Sequence, residues 1–318
     1  MRTLTALLLL TAPAPAADLS ATKSKEEVTF KDGDKVVTKY VFGGDIPKPH
    51  FWPVHAPDGT LVTATSPGNH KHHKSIWFCH GDVIPEGMDL KTKSSDKRVE
   101  GVDFWSEAKG HGKIVCVQVG EPKVADGVVT LPTKNEWRTP DGDKILDETR
   151  VLTVRKAGNG YLIGFDIDLH ASVCELKFGD TKEGAFGTRM SEEITTEKKL
   201  NDTLTADGGR KGEKAIWGLP VSWMDSSGKV DGKEVGLAVF DHPKNPVRAT
   251  SHGRAYGLMA ANPFGREKSF PPSQKGKTDL VGMKKGDHLK LKYAAFAHTG
   301  DAKAGGVEEA YKLFSEGK

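Results

Sequence analysis

The chain has 318 residues, of which 36% are hydrophobic and 28% are charged, and it contains 36 glycines and 17 prolines. This composition is globular and excludes collagen, coiled coil and full disorder, while a chain of this length holds one or two domains. With 46 Lys and Arg against 43 Asp and Glu the net charge is only +3, so the chain lacks the basic excess of a protein that follows phosphates, and we expect no nucleic-acid partner.

The first sixteen residues resemble a compact secretory signal. Arg2 is followed by a short leucine-rich run and by a small-residue site, Ala14-Pro15-Ala16. The run is about half of the roughly 20 apolar residues that a membrane span needs, and no later segment is long enough. We therefore predict a signal peptide at 1–16, a periplasmic or secreted location after its removal, and no membrane span.

Short runs rich in Val, Ile, Thr and aromatic residues, bounded by Gly, Asp, Asn and Pro, predict β-strands. In chain order these are Lys35–Phe42, Phe51–His55, Leu61–Ser66, Ile76–His80, Lys113–Val119, Val128–Arg138, Lys144–Arg155, Tyr161–His170, Glu175–Phe178, Leu204–Ala206, Ala215–Met224, Glu234–Phe240, Tyr256–Ala260 and Leu289–Ala297. Helical periodicity is clear only near the end, where Val307, Ala310, Tyr311 and Phe314 share one face.

So many strands are not expected in one open sheet, because a sheet much beyond about ten strands curls or splits. We therefore predict an all-β fold, a large antiparallel β-sandwich with a short C-terminal helix. No charge block, low-complexity linker or internal repeat divides residues 17–318, which favours a single β-sandwich domain.

The three cysteines, Cys79, Cys116 and Cys174, are too few for a disulfide scaffold. Their odd number leaves at least one thiol free, and a disulfide between the other two stays open. Cys116 and Cys174 lie in apolar stretches, where a small buried hydrophobic residue is the ordinary interpretation.

The densest concentration of reactive residues is the histidine-rich segment at 69–82. It holds His70, His72, His73 and His80, followed by Asp82. Histidine changes charge near neutral pH and also binds metals, so acid–base chemistry, substrate contact, a metal site and structural hydrogen bonding all remain open. We first expect no cofactor; if a divalent metal binds, we expect its ligands among His70, His72, His80 and Asp82, although no spaced metalloprotease motif or Cys pair is present.

Two further regions carry charged groups. Between Lys177 and Arg189, glycines bracket charged residues, which predicts a tight loop that presents Glu183. Glu148 and Arg150 are two apart in a predicted strand and so share a face, where an exposed ion pair would contribute little to stability.

Six segments together resemble an exported bacterial family labelled "methane oxygenase PmoA". They are Ser-Pro-Gly-Asn-His-Lys-His-His-Lys (66–74), Trp-Phe-Cys-His-Gly-Asp (77–82), Val-Asp-Phe-Trp (102–105), Phe-Gly-Asp-Thr-Lys-Glu-Gly (178–184), Phe-Asp-His-Pro-Lys-Asn-Pro (240–246) and Ala-Asn-Pro-Phe-Gly (261–265). The resemblance covers nearly all of the chain after residue 16. It implies a galactose-mutarotase-like supersandwich, a fold that many carbohydrate-acting proteins share, and its label implies metal-dependent oxidation as one candidate activity.

We expect an exported enzyme that acts on a sugar or glycoside by proton transfer, as an epimerase, lyase or hydrolase does, because His and a carboxylate supply a proton acceptor and donor near neutral pH. The predicted catalytic residues are His72, His73, His80, Glu183 and Glu148. The predicted substrate-binding residues are Arg150, Arg189, Asp241, His252, Arg254 and Asn262, with Trp77, Trp105 and Trp217 as flat faces for a sugar ring.

Two alternatives come from other classes of protein. One is a non-catalytic carbohydrate-binding or envelope protein that uses the same cleft without a positioned acid–base pair. The other is the metal-dependent oxidase or hydrolase. In the enzyme interpretations, the expected partner is a small-molecule or oligosaccharide substrate.

Overall fold

A computed structural model gives the structure of residues 19–68, 70–194 and 204–317. The predicted signal peptide at 1–16 lies outside these described residues. The predicted fold class is confirmed: the described chain is mostly antiparallel β-sheet, with a short helix near its C-terminal end.

The strands in chain order are β1 (Leu19–Lys23), β2 (Glu27–Asp32), β3 (Lys35–Val41), β4 (His50–Val54), β5 (Ile76–His80), β6 (Val83–Pro85), β7 (Lys113–Val119), β8 (Lys123–Ala125), β9 (Val128–Arg138), β10 (Lys144–Ala157), β11 (Gly160–His170), β12 (Leu176–Phe178), β13 (Gly184–Arg189), β14 (Leu204–Ala206), β15 (Arg210–Lys211), β16 (Trp223–Val230), β17 (Lys233–Asp241), β18 (Thr250–Gly253), β19 (Leu258–Asn262), β20 (Val281–Met283) and β21 (His288–Thr299). The helices are α1 (Glu213–Ile216) and α2 (Val307–Glu316), with a 3₁₀ turn at Asp207–Gly209.

Two large sheets make the sandwich. The first has the spatial order β1-β2-β3-β4-β5-β13-β19-β18, and the second has the order β15-β14-β16-β17-β21-β11-β10-β9-β7, with β8 beside β9. A small sheet, β20-β12-β6, accompanies them. Neighbouring strands pair antiparallel in all three sheets, for example β5 with β13 and β11 with β21.

Aromatic side chains join the two large sheets. Phe51 of the first sheet meets Phe165 of the second with ring centroids 5.5 Å apart, and Phe186 meets Tyr293 at 5.4 Å. Phe78 also stacks with Tyr293, and each of these five residues is at most 1% exposed. Full burial of one such side chain contributes about 1.5–3 kcal/mol, so these contacts hold the sandwich together.

The alternation of side chains along each strand decides which residues face away from the second sheet. Phe78 in β5 and Phe186 in β13 point toward the second sheet and are paired in register. Their neighbours Trp77 and Gly187 are also paired and therefore lie on the opposite, outer face of the first sheet. Loops that cross this outer face build the candidate site described below.

Helix α2 confirms the predicted C-terminal helix. Val307 and Ala310 are buried, and Tyr311 and Phe314 contact Phe240 with ring centroids 5.5 and 5.9 Å away. This is the apolar face that the periodicity predicted, and it packs on the second sheet.

Three predictions of local structure were wrong. The loop predicted over 177–189 is present only at 179–183, where it presents Glu183, and residues 184–189 instead form β13, a fully buried strand inside the first sheet, because its glycines serve close packing rather than a turn. The predicted strand Ala215–Met224 is broken by Gly218, whose φ is +72°, so that α1 ends before it and β16 begins only at Trp223. The run Leu61–Ser66 makes only isolated bridges.

All three cysteines are free thiols. Within the described ranges, no helix is long and apolar enough to cross a bilayer.

Candidate functional site

A closed loop carries the histidine-rich segment over the outer face. The Ser66 N–H donates to the His73 carbonyl at 2.7 Å, and the His73 N–H donates to the His70 carbonyl at 2.9 Å. Lys74 Nζ ties the loop shut by donating to Ser66 Oγ at 3.0 Å and to the Lys71 carbonyl at 3.2 Å. The loop therefore holds its histidines in fixed positions above β5.

A column of stacked rings rises from the sheet through this loop. His73 stacks over Trp77 with ring centroids 5.5 Å apart, His70 stacks on His73 at 4.6 Å, and Tyr256 stacks on His70 at 4.6 Å. His72 meets His73 edge-on at 4.5 Å. Trp77 is fully buried while His70, His72 and Tyr256 are half-buried, so the column runs from the core to the surface.

Two small residues make room for the rings. Across four neighbouring strands the paired residues are Trp77, Gly187, Ala260 and His252. A Cβ atom on Gly187 would lie 2.7 Å from Trp77 Cζ2 and 3.0 Å from Trp105 Cη2, so only glycine leaves space for the two indoles there.

Two arginines complete the surface around the column. The Arg189 guanidinium lies 5.1 Å from the Tyr256 ring centroid, and the Arg254 guanidinium lies 5.6 Å from the same centroid and 4.8 Å from that of Trp217. Glu183 is in electrostatic range of Tyr256. We name this set the outer-face cluster: His70, His72, His73, Trp77, Trp105, Glu183, Arg189, Trp217, His252, Arg254 and Tyr256.

His252 is the best-placed proton acceptor of the cluster. Its Nδ1 lies 2.9 Å from the Lys182 carbonyl, which only accepts, so Nδ1 carries the proton and Nε2 carries a lone pair. Nε2 is buried and has no hydrogen-bond partner among the described residues. Burial lowers the pKa of His252 to about 3, so the ring is neutral at neutral pH. The ring meets Trp217 edge-on at 4.5 Å, which places it beside a half-buried aromatic face.

Glu183 is the best-placed proton donor. Burial raises the pKa of its carboxyl, against the opposing effect of Lys182, whose Nζ is 3.9 Å from Oε1. The side chain is still 28% exposed, so it is reachable from solvent. The Lys182 carbonyl accepts the hydrogen bond from His252, and Glu183 is the next residue in the chain. One short segment therefore positions both the proton acceptor, His252, and the proton donor, Glu183.

Buried polar contacts fix that segment. Asn262 Nδ2 donates to the Thr181 carbonyl at 2.9 Å, while its Oδ1 accepts the N–H groups of Phe264 and Gly265. Both polar atoms of the Asn262 side chain are used in these contacts, so Asn262 is a positioning residue rather than a group that contacts a ligand.

The other cluster histidines are also held neutral. Burial lowers the pKa of His72 to about 4, and burial together with neighbouring rings and Arg189 lowers that of His73 still further. An arginine N–H can only donate, so His73 Nδ1, 3.5 Å from Arg189 Nη1, is an acceptor in this contact. His73 therefore offers its Nε2–H as a donor, and not a free base.

A buried charge network, which the sequence reasoning missed, anchors the loops. Lys48 has no exposed surface; its Nζ donates to Glu107 Oε1 at 2.7 Å and to the Trp105 carbonyl at 3.0 Å. Lys74 Nζ approaches the other oxygen of Glu107 at 3.3 Å. Burial alone would raise the pKa of Glu107, but the two lysines hold it below its usual range. The network joins the loop that carries Trp105 to the histidine loop.

Tyr256 was also missed, although it lies two residues from Arg254, which was predicted to bind substrate. The sequence suggested a strand at 256–260, whereas the strand begins at Leu258 and Tyr256 stays in the preceding turn. Burial raises its pKa to about 12, so the phenol is a neutral donor.

The structure places Glu148 and Arg150 outside the cluster, between the two sheets. Both side chains are fully buried and bonded to each other, and Glu148 Oε2 also accepts the Trp137 Nε1–H at 2.7 Å. Arg150 Nη2 donates to the Phe78 carbonyl at 3.1 Å. This pair joins the sheets and lies outside the outer-face cluster.

Asp241 and His80 also lie apart from the cluster. Asp241 accepts hydrogen bonds from Asn245 Nδ2 at 2.8 Å and Arg248 Nε at 2.7 Å, and it orders the turn after β17. His80 is fully buried between Phe178 and Phe264, and its Nε2 donates to a backbone carbonyl.

The four conditional metal ligands do not come together. His70 and His72 belong to the ring column, His80 is sealed among aromatic side chains, and Asp82 Oδ1 accepts the Gly101 N–H at 2.7 Å. Within residues 19–68, 70–194 and 204–317 no group of three or more His, Cys, Asp or Glu is arranged to hold a metal ion.

Comparisons with known proteins give a family and a distant likeness. The model of a family of unknown function, DUF6807, matches residues 27–312. A search of curated proteins gave no significant match. Among solved structures, the chain is similar to a galactose mutarotase related enzyme from Lactobacillus acidophilus, with 6% sequence identity and a TM-score of 0.34 over 88% of this chain and 97% of that chain.

Proposed function

The chain belongs to the DUF6807 family, and we propose that it is an exported carbohydrate-active enzyme that moves protons on a sugar or glycoside bound at the outer-face cluster. In this proposal His252 Nε2 is the base and the Glu183 carboxyl is the acid. Epimerisation, elimination and hydrolysis all require such a pair.

The observation that carries the proposal is the state of His252. Buried polar atoms are normally paired, and His252 Nε2 is buried without a partner among the described residues, as is Nδ1 of His80. His252 differs from His80 in its surroundings, because its ring meets the half-buried Trp217, whereas His80 is enclosed by Phe178 and Phe264. The Nδ1–H of His252 is fixed by the Lys182 carbonyl, so the base has a defined tautomer and orientation. A substrate hydroxyl or C–H placed against Nε2 would supply the missing partner.

Glu183 has the complementary property. A carboxyl whose pKa is raised by burial stays protonated to a higher pH than usual and can donate to a sugar oxygen. Environments that push two titratable groups toward opposite proton states are a recurrent feature of acid–base sites.

A sugar is the ligand class that best fits the surroundings. Trp217 and Tyr256 are half-buried aromatic side chains, and such side chains supply apolar contact surface beside polar groups, as a sugar requires. Arg254 lies next to both and offers N–H donors for hydroxyl groups.

The test is turnover of a glycoside and sugar panel by the full mature chain, with His252→Gln and Glu183→Gln as variants. We expect each variant to lower kcat/KM by about 10²–10⁴-fold, because each removes one proton-transfer group. His288→Gln is the matched control, since that histidine is half-exposed on the second sheet and pairs with Asp168.

The pH profile separates the two roles. We expect no activity limb near the ordinary histidine pKa, because that of His252 is lowered to about 3, and we expect the rate to fall as pH rises through the raised pKa of Glu183. Variants that bind the sugar and turn it over like the wild type would contradict the proposal. Sugar binding with no turnover by any form would favour the binding-protein alternative.

Export, predicted from residues 1–16, is part of this proposal and is tested by fractionation of the expressing cell. The metal-dependent alternative stays a prediction, and metal analysis of the purified protein tests it.

A further inference from the structure

We propose that the sugar bound at the outer-face cluster carries an oxyanion, a carboxylate or a sulfate, which Arg254 and Lys182 recognise. This inference rests on the proposed function, because it names the substrate class of the same site.

The guanidinium of Arg254 is held in place by its neighbours, while its two terminal nitrogens are left without an acceptor among the described residues. Its Nε lies 3.2 Å from Glu213 Oε1, and its guanidinium lies over the rings of Trp217 and Tyr256. The side chain is 31% exposed, and no described residue accepts a hydrogen bond from its terminal nitrogens. A planar guanidinium with free terminal N–H groups binds carboxylate and sulfate oxygens in pairs.

Glu213 is itself fixed. Its Oε2 accepts the Ala255 N–H at 2.8 Å, so the carboxylate is tied to the backbone beside the arginine that it orients. Arg254 is therefore preorganised for a ligand, which reduces the entropy lost on binding.

Lys182 supplies a second cation at the surface. Its side chain is 43% exposed, and the nearest carboxylate oxygen, on Glu183, is 3.9 Å away, which is a weak contact. The backbone carbonyl of Lys182 accepts the hydrogen bond from His252, so the residue that carries the ammonium group is in direct contact with the proposed base.

The charged groups that act on two of the cluster histidines are cations. Burial lowers the pKa of His70, and the charged neighbours that lower it further are Arg189, Arg254 and Lys182. At His252 the charged neighbours acting on the pKa are again cations, Lys182 and Arg254. A site with this field attracts an anionic ligand over a neutral one.

The experiment compares matched probes by calorimetric titration of the full mature chain at low salt. The anionic probes are D-glucuronate, D-galacturonate and D-glucose 6-sulfate, and the neutral probes are D-glucose and D-galactose. We expect at least one anionic probe to bind about tenfold or more tightly than its neutral partner, with the difference shrinking as salt is added. The carboxylate and sulfate arms identify the oxyanion.

Arg254→Gln should reduce the preference for the anionic probe to near unity, and Lys182→Gln should reduce it in part. Lys182 is the safer variant if Arg254→Gln fails to fold, since its side chain is nearly half exposed. Lys292→Gln is the control, because this lysine pairs with Asp166 on the second sheet and should leave the preference unchanged.

Equal or weaker binding of the anionic probes, or no binding of them up to about 10 mM, overturns the inference. So does an anionic preference that survives both Arg254→Gln and Lys182→Gln. If a neutral glycoside is turned over and His252→Gln abolishes that turnover, the proposed function stands but the proposal of an oxyanion-bearing substrate is wrong. Conversely, if a uronate binds tightly but is not turned over, the oxyanion proposal stands and the proposed acid–base enzyme activity is wrong.

Discussion

The outer-face cluster and the ion pairs sealed in the sandwich use the same residue types in opposite ways. In the sealed pairs, Glu148 with Arg150 and Asp225 with His298, all four side chains have no exposed surface. Each charge meets an opposite charge, and of the four side chains only Arg150 keeps a buried atom, Nη1, without a hydrogen-bond partner among the described residues. In the cluster, His252 keeps an unpartnered Nε2 among the described residues, and Arg254 keeps a fork that none of them uses.

This difference in pairing distinguishes residues that stabilise the fold from residues that are available to a ligand. A buried charge that is paired with an opposite charge and shielded from solvent is not accessible to a ligand, even where one of its donors is unused. A polar atom left unsatisfied costs stability, and where it lies beside the surface a ligand or substrate can complete it. Whether a histidine, arginine or carboxylate is available for chemistry therefore depends on its partners in the fold, and not on its residue type.

The largest effect should come from breaking a sealed pair. Glu148→Ala leaves Arg150 charged and buried, so we expect the free energy of unfolding to fall by about 3–5 kcal/mol in urea titrations. Glu136→Ala is the control, since that carboxylate pairs with Arg138 at a partly exposed position and should cost about 1 kcal/mol or less. Equal losses in the two variants would remove the distinction between sealed and exposed pairs.

A smaller effect should follow from filling the space under the cluster. Gly187→Ala forces Trp77 or Trp105 to move, so we expect a loss of about 1–3 kcal/mol and a shifted tryptophan emission spectrum. Gly68→Ala is the matched control, because no described atom lies within 4 Å of the added Cβ. An unchanged spectrum and stability for Gly187→Ala would mean that the rings are not packed as described.

The smallest effect should be a pH dependence that distinguishes two buried histidines. Asp225 outweighs burial and raises the pKa of His298, so its stabilising contribution is present below pH 6.5 and is lost as pH rises through the folded pKa. We expect the difference in the free energy of unfolding between the wild type and His298→Gln to fall between pH 6.5 and 8, by at most about 1.4 kcal/mol per pH unit.

The two histidine variants should differ from the wild type in opposite directions. The stability lost in His252→Gln should grow as pH rises through about 6.5, because the lowered pKa of His252 gives stability that is gained as the unfolded-state histidine loses its proton. A stability difference between the wild type and His298→Gln that does not change with pH would contradict the raised pKa of His298.

The general architecture followed from the sequence because alternation and turn residues are local signals. The strands Ile76–His80, Lys113–Val119 and Val128–Arg138 have the predicted bounds, and the apolar face of α2 was visible in its spacing. The strand β13 was missed because its glycines match a loop signal, while their reason is the close approach of Trp77, Trp105 and His80.

The site was predicted only in part. His72, His73, Glu183, Arg189, His252 and Arg254 were named and do belong to one cluster, whereas His80, Glu148, Arg150 and Asp241 were named on the same grounds and lie elsewhere. Lys48, Glu107 and Tyr256 gave no local signal, because each acts through contacts with residues far away in the chain.

The sequence alone determined the strand content, the sandwich and the supply of histidines, arginines and tryptophans. Tertiary structure alone decided which of them share a surface and which ring nitrogen has no partner. The physical reason is that propensity and alternation act between near neighbours, whereas burial, charge pairing and proton state depend on segments that only the folded sheets bring into contact.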